Sequence, residues 1–200
     1  MHPELCRFTS EVFYDGRLTA IATLELQQIL GETPLRGSGL RFHQVPHAGN
    51  TNASREEAGA VASLVQDLLS KSWQDRNGAR AAITPSHILV VTPYNAQIRA
   101  IREALAAAGC PAGVQVGTVD KFQGREAPVS IYSMATSSAD QAPRGLDFLY
   151  DPHRLNVATS RAKAMAIIVA SPDLVRVSCR TPRQMLLVNA LCRAWEASPR

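Results

Sequence analysis

Apolar positions along this chain fall into two alternating kinds of stretch. Ile88-Leu89-Val90-Val91 is a short continuous run suited to a strand buried on both faces. Residues 114–119, 128–134 and 164–170, the last centred on Ile167-Ile168-Val169, read as further strands. Leu40-Arg41-Phe42-His43-Gln44-Val45 alternates apolar and polar side chains and reads as a strand stopped by Pro46. Between these runs the period lengthens. Val61, Leu64, Val65, Leu68 and Leu69 recur at helical spacing behind the capping box Ser54-Arg55-Glu56-Glu57. Thr92-Pro93 reads as an N-cap with proline at the first helical position, opening a helix that turns Ile98, Ile101 and Leu105 inward and ends at Gly109. Asp151-Pro152 starts a helix to about Arg161, and Ser171-Pro172-Asp173 opens a short one. A second capping box, Thr181-Pro182-Arg183-Gln184, precedes a helix whose apolar face is Met185, Val188, Leu191, Cys192 and Trp195. Residues 1–36 keep no clear period, with a turn at Asp15-Gly16. Residues 31–39, 73–85 and 136–147 read as loops.

Unbroken apolar strands alternating with amphipathic helices define an α/β fold, a mostly parallel sheet with helices on both faces. In such sheets ligands sit beyond the carboxyl ends of the strands. Thr92-Pro93-Tyr94, residues 118–126 and Ser171 follow strands and are expected at that edge. Arg161 precedes a strand and must reach its site from a helix end.

The 200 residues fit one domain, or one with an extension, and 46% hydrophobic residues can bury an ordinary core. No apolar run approaches membrane-spanning length, so no membrane partner is expected. Cys6, Cys110, Cys179 and Cys192 have no metal spacing and read as reduced thiols of a cytoplasmic protein. The net charge of +4 permits a phosphate-rich partner without demanding one.

Several chemistries lack their residues. The three lysines follow Ser70, Asp120 and Ala162, so there is no phosphate loop ending in glycine-lysine. No Asp-Glu pair of the kind that holds magnesium in helicase-type motors occurs, and no acidic-x-Lys nuclease pattern. The five histidines are scattered and group into no ligand set, so no metal site is expected.

Two islands carry polar groups where a plain core would want none. In the first, residues 116–126, Gly124 lets a backbone approach a ligand closely, Gln123 can donate to or accept from a phosphate or water, and Glu126 can accept from a ribose hydroxyl. These residues read equally as a strand end, a turn and solvated charges. In the second, residues 154–163, Arg154 and Arg161 lie seven apart. A guanidinium before a buried strand can reach a phosphate across an interface, or it can cap the helix carbonyls.

Three segments occur in order: Thr92-Pro93-Tyr94-Asn95-Ala96-Gln97, then Val116-Gly117-Thr118-Val119-Asp120-Lys121-Phe122-Gln123-Gly124-Arg125-Glu126, then Leu155-Asn156-Val157-Ala158-Thr159-Ser160-Arg161-Ala162-Lys163. They resemble motifs IV, V and VI of superfamily 1 helicases, in the Upf1-like branch. Phe13-Tyr14-Asp15-Gly16-x-Leu18 is similar to a segment of that branch, and Met1-His2-Pro3 to the tail of its Gln-Tyr-Arg-Met-His-Pro motif. Residues 126–138 and 145–150 are similar to bacterial proteins that fuse a RecB-like nuclease to such a helicase.

The resemblance implies a RecA-like three-layer sandwich spanning residues 1–200, the second motor domain of an ATP-dependent helicase. ATP and Mg²⁺ would be held mainly by an N-terminal RecA-like domain absent from this chain. It implies that Arg161 is an arginine finger and that Gln123, Gly124 and Glu126 contact ATP. Thr92, Tyr94, Asn95 and Thr118 would grip single-stranded nucleic acid, DNA in preference to RNA. It implies 5′-to-3′ travel and allows a fused nuclease domain. Asp120-Lys121 departs from many relatives and leaves the role of Lys121 open. The match begins inside the Met-His-Pro motif, so the chain is expected to be a fragment, inactive alone. The alternative is a non-catalytic nucleic-acid or protein-binding module on a decayed motor fold.

Overall fold

The most apolar stretches of the chain form the middle of a sheet. The computed structural model describes residues 1–32, 34–122 and 124–199. Along it run α1 (Pro3–Phe13), β1 (Gln28–Leu30), β2 (Gly39–Gln44), α2 (Arg55–Leu69), β3 (Ser72–Gln74), β4 (Arg80–Ala82), β5 (Ile88–Val91), α3 (Asn95–Ala107), β6 (Gln115–Gly117), β7 (Ala127–Ser133), α4 (Leu146–Leu149), α5 (Pro152–Ser160), β8 (Ala162–Ala170) and α6 (Pro182–Ala197), with short 3-10 turns between several of them. Five strands form one parallel sheet in the order β2-β8-β7-β5-β6. Helices α2 and α3 pack on one face and α1, α5 and α6 on the other. This is the RecA-like α/β sandwich expected from the sequence.

Alternation along the strands builds the two core layers. Val116, Val90, Ile131 and Ile167 stand in one row across β6, β5, β7 and β8. All four face α2 and α3, and each contributes about 1.5–3 kcal/mol by leaving water. The neighbouring positions Val91, Tyr132 and Ile168 face α1, α5 and α6.

Four expectations need correction. The leading segment is not irregular throughout, because residues 3–13 are helix α1, with Leu5 and Phe8 buried. Its cap is a histidine: Glu4 N–H donates to His2 Nδ1, with Pro3 at the first helical position. The polar loop at 73–85 contains β3 and β4, an antiparallel hairpin that pairs with β1. Asp75 organises its turn by accepting from the amides of Asn77 and Ala79. Helix α3 begins at Asn95 rather than at Pro93, with Tyr94 as N-cap and no side-chain cap. Thr92 instead extends the β5 ladder, its amide donating to Gly117 O at 3.1 Å. On α6, Met185 is exposed and Trp195 partly so, while Val188, Ala190, Leu191 and Ala194 turn inward.

The capping histidine makes the fold sensitive to pH. Burial lowers the pKa of His2, against the opposing effect of Glu4, and burial also lowers that of His43. Below the ordinary value of 6.5 the unfolded chain therefore binds more protons than the folded one. This contribution to stability is complete above that value and is lost as pH falls through the depressed folded values. Urea midpoints should drop between about pH 7.5 and pH 5. The drop should shrink in His2→Asn, which keeps a capping acceptor but cannot titrate. An unchanged pH slope in that variant would remove His2 from the account.

Candidate functional site

The residues singled out by sequence divide between two opposite edges of the sheet. Thr92 follows β5 and Thr118 follows β6, so both stand at the carboxyl edge. Gly124 and Glu126 do not share that edge, although their sequence position suggested it. A 3-10 turn over Val119–Phe122 carries the chain back across one face, anchored by buried Val119 and Phe122. Glu126 then directly precedes β7, and Arg161 directly precedes β8. Those two strand starts are neighbours: Ala127 pairs with Ala162, and Ala127 N–H donates to Arg161 O at 3.1 Å.

At this amino edge Arg161 caps the C-terminus of α5. Its side chain is half-buried, and its Nε is buried with no hydrogen-bond partner among the described residues. A guanidinium held in that way suits an anionic partner that supplies an acceptor. Gly124 is exposed at φ +77, with nothing near the place of a β-carbon. Glu126 is exposed and, with Lys163 and Arg76, lines a groove of about 560 Å³ whose other wall includes Ile21, Leu24 and Trp73. Gln123, expected beside Gly124, lies outside the described residues. Among the described residues no group of three or more His, Cys, Asp or Glu side chains could hold a metal ion. Among the described residues, the amino edge offers a guanidinium suited to a phosphate-bearing ligand.

The carboxyl edge is more crowded. Thr92 is fully buried, and its hydroxyl has no partner among the described residues. Tyr94 is 6% exposed, its hydroxyl 3.5 Å from Thr136 Oγ1. Burial raises its pKa. Asn95 is exposed and Thr118 half-buried, and both line a groove of about 450 Å³ with Arg99, Arg102 and Lys121. Of these three cations, Lys121 was noted in the sequence with its role left open, and the two arginines went unread. Two sit on α3 at a spacing of three, which was the available signal. A β-carbon on Gly117 would lie 2.6 Å from Lys121 Cδ, so only glycine lets the lysine stem rest on the end of β6.

Beneath this edge lies a buried polar network that sequence reading missed. Ser54 accepts from Glu57 N–H as the capping box requires, but the Glu57 carboxylate turns away from the helix. It accepts from Ser133 Oγ at 2.7 Å and Ala135 N at 2.8 Å, and meets His47 Nε2 at 2.9 Å. On the other side of the ring, Nδ1 faces Ser137 Oγ at 2.7 Å and Asn50 Nδ2 at 3.1 Å. Nε2 therefore carries the proton donated to the carboxylate, and Nδ1 is left to accept. Gln97 joins Ser133 to the backbone of Ser54. The Ser137–His47–Glu57 line has hydrolase-like connectivity. Ser137 is only 2% exposed and also accepts from Asn50 N–H, so no substrate can approach it. The network is a frame. It holds Ala135, a non-glycine residue at φ +67, and the loop at residues 46–52 against the ends of β7 and α3.

A parallel α/β sandwich with candidate polar groups at both strand edges is the class that fold and site define. The chain belongs to the AAA_12 family, an AAA domain, whose model matches residues 1–173. It is 32% identical over 189 residues to the Regulator of nonsense transcripts 1 homolog of Arabidopsis thaliana, covering 88% of this chain and 14% of that protein. To the DNA polymerase alpha-associated DNA helicase A of Schizosaccharomyces pombe it is 30% identical over 188 residues, covering 88% of this chain and 27% of that one. To the ATP-dependent helicase upf1 of the same yeast it is 31% identical over 189 residues, at 88% and 19%. The chain thus spans about a quarter or less of the length of these relatives. Among solved structures, the C-terminal domain of a possible DNA helicase from Lactobacillus plantarum WCFS1 overlays at a TM-score of 0.48 and 16% identity, over 88% of this chain and 91% of that one.

Proposed function

We propose that this chain is the second motor domain of an ATP-dependent helicase that travels 5′ to 3′ on a single strand, DNA in preference to RNA. The observation that carries this reading is the division of labour between the two edges. Arg161, Glu126 and Gly124 collect at one edge, and the basic groove with Asn95, Thr118 and Lys121 lies at the other. A motor needs a nucleotide edge that another domain can close upon and a separate surface that grips its track. Relatives named as a DNA helicase and as an ATP-dependent helicase support the class.

In this reading Arg161 reaches the terminal phosphates of ATP, and Glu126 meets the ribose. Gln123 and Gly124 are assigned beside the phosphates. ATP supplies the free energy of hydrolysis, while its Mg²⁺ is held by the N-terminal motor domain. Closure on the nucleotide orders this edge and excludes water. At the carboxyl edge Arg99, Arg102 and Lys121 neutralise strand phosphates, and Asn95 and Thr118 hydrogen-bond to the backbone. A nuclease domain elsewhere in the polypeptide completes the reading, suggested by residues 126–138 and 145–150.

The track surface has a direct test. Lys121→Gln and Arg99→Gln should each weaken binding to fluorescent oligothymidylate and flatten the logarithmic salt dependence by roughly one unit, as expected for a lost phosphate contact. Competition with oligouridylate at fixed salt reads the DNA preference. Unchanged affinity and salt slope in both variants would favour the non-catalytic protein-binding alternative.

A further inference from the structure

Tyr94 is the residue of the track surface whose ring could stack on a base, yet that ring is covered. Phe148 of α4 lies against it, with ring centroids 5.6 Å apart and planes tilted by 41°, within the range of favourable aromatic pairs. Phe148 is in turn held by two cations. The guanidinium carbons of Arg144 and Arg154 lie 4.0 and 4.1 Å from its ring centroid. Arg144 is exposed, and Arg154 leans toward Asp151 at 3.6 Å. A tilted aromatic ring packed against Tyr94 and flanked by two guanidinium groups has the chemistry of a bound nucleotide, with a flat π-system and a cation within reach of a flanking phosphate.

Two further observations mark this arrangement as a place-holder. The hydroxyl of fully buried Tyr132 lacks a hydrogen-bond partner among the described residues, and Arg154 Nε has only the looser ion pair with Asp151 at 3.6 Å, so the covered state leaves polar groups under-used. The backbone around Phe148 permits local release. Gly145 enters α4 at φ +77, whereas Leu149 and Tyr150 are buried and Tyr150 Oη donates to Leu174 O at 2.9 Å. Movement is thus confined to the Phe148 ring and the residues before it.

Resting on the strand-binding reading above, we propose that Phe148 is a gate that occupies the base-stacking place on Tyr94 in the strand-free domain. An incoming nucleotide displaces the ring, and Arg154 exchanges Phe148 for a phosphate of the strand, whereas exposed Arg144 only holds the gate closed. Apparent affinity is then reduced by the fraction of molecules in which the gate is open.

The sign of one substitution tests this. Losing an exposed cation ordinarily weakens binding to a polyanion. Arg144→Gln should nevertheless bind fluorescent oligothymidylate tighter, by about fivefold or more, because it frees the gate. Phe148→Leu should do the same, with its fold checked by thermal unfolding. Adding Tyr94→Leu to either variant should cancel the gain, and 2-aminopurine placed in the strand should report stacking in the Arg144→Gln variant. Weaker or unchanged binding in Arg144→Gln, with Lys121→Gln weakened as expected, overturns the gate and leaves the strand reading intact. Absence of oligonucleotide binding in every variant and in the parent protein overturns both.

Discussion

Arg161→Ala in the intact motor is expected to lower ATP turnover by roughly 10³–10⁵, the loss seen when an arginine finger is removed from other phosphoryl-transfer enzymes. Strand affinity should stay within about twofold of the parent, since Arg161 stands at the amino edge and the basic groove at the carboxyl edge. The reason lies in how the side chain is held. Its Nε is already buried without a partner among the described residues, and the backbone beside it is tied to the start of β7. Little reorganisation remains when charge develops on a phosphate. Arg161→Lys should recover only a minor part of the activity, because an ammonium cannot reproduce the planar two-pronged contact. Turnover that survives Arg161→Ala would show that the guanidinium only caps the carbonyls of α5.

Glu57→Ala should cost the fold about 3–5 kcal/mol, the usual penalty for breaking a buried charged network by removing one partner. Three donors lose their common acceptor at once: His47 Nε2–H, Ser133 Oγ–H and Ala135 N–H. A domain with roughly 5–15 kcal/mol of stability would lose a large share of it. Urea unfolding measures this directly, and a loss below about 1 kcal/mol would mean that water replaces the carboxylate freely. The effect should reach function as well. Thr136 Oγ1 donates to Thr51 O at 2.6 Å and neighbours the Tyr94 hydroxyl, so freeing Ala135 loosens the seat of that ring.

The central strands were legible because they are buried on both faces, which leaves unbroken apolar runs such as residues 88–91. Helix α2 was legible because its cap and its stripe agree. Helix α1 escaped notice because its cap is His2 and its buried face includes Cys6, Thr9 and Ser10, which blur the apolar period. The β3–β4 hairpin escaped because β4 is wholly exposed, leaving Asn77-Gly78 as its one strong signal. Motif spacing singled out the candidate residues but not their separation into two edges. The crossing depends on a four-residue 3-10 turn whose only trace is the spacing of Val119 and Phe122. The frame around Glu57 was hidden for another reason: the capping-box pattern had already accounted for that carboxylate, and its true partners are as many as 78 positions away.

The two edges are joined by stiff parallel strands, and in the motor proposed above that geometry would work as a lever. The seven residues of β7 span about 23 Å at a rise of ~3.3 Å each. Both faces of the sheet are packed, so a push at Glu126 and Arg161 tilts the slab rather than bending it. A tilt of about 10° about the amino edge would carry Thr118 and Tyr94 roughly 4 Å sideways, given that strand length. That stroke is close to the ~3.4 Å rise per nucleotide of each strand in a DNA duplex.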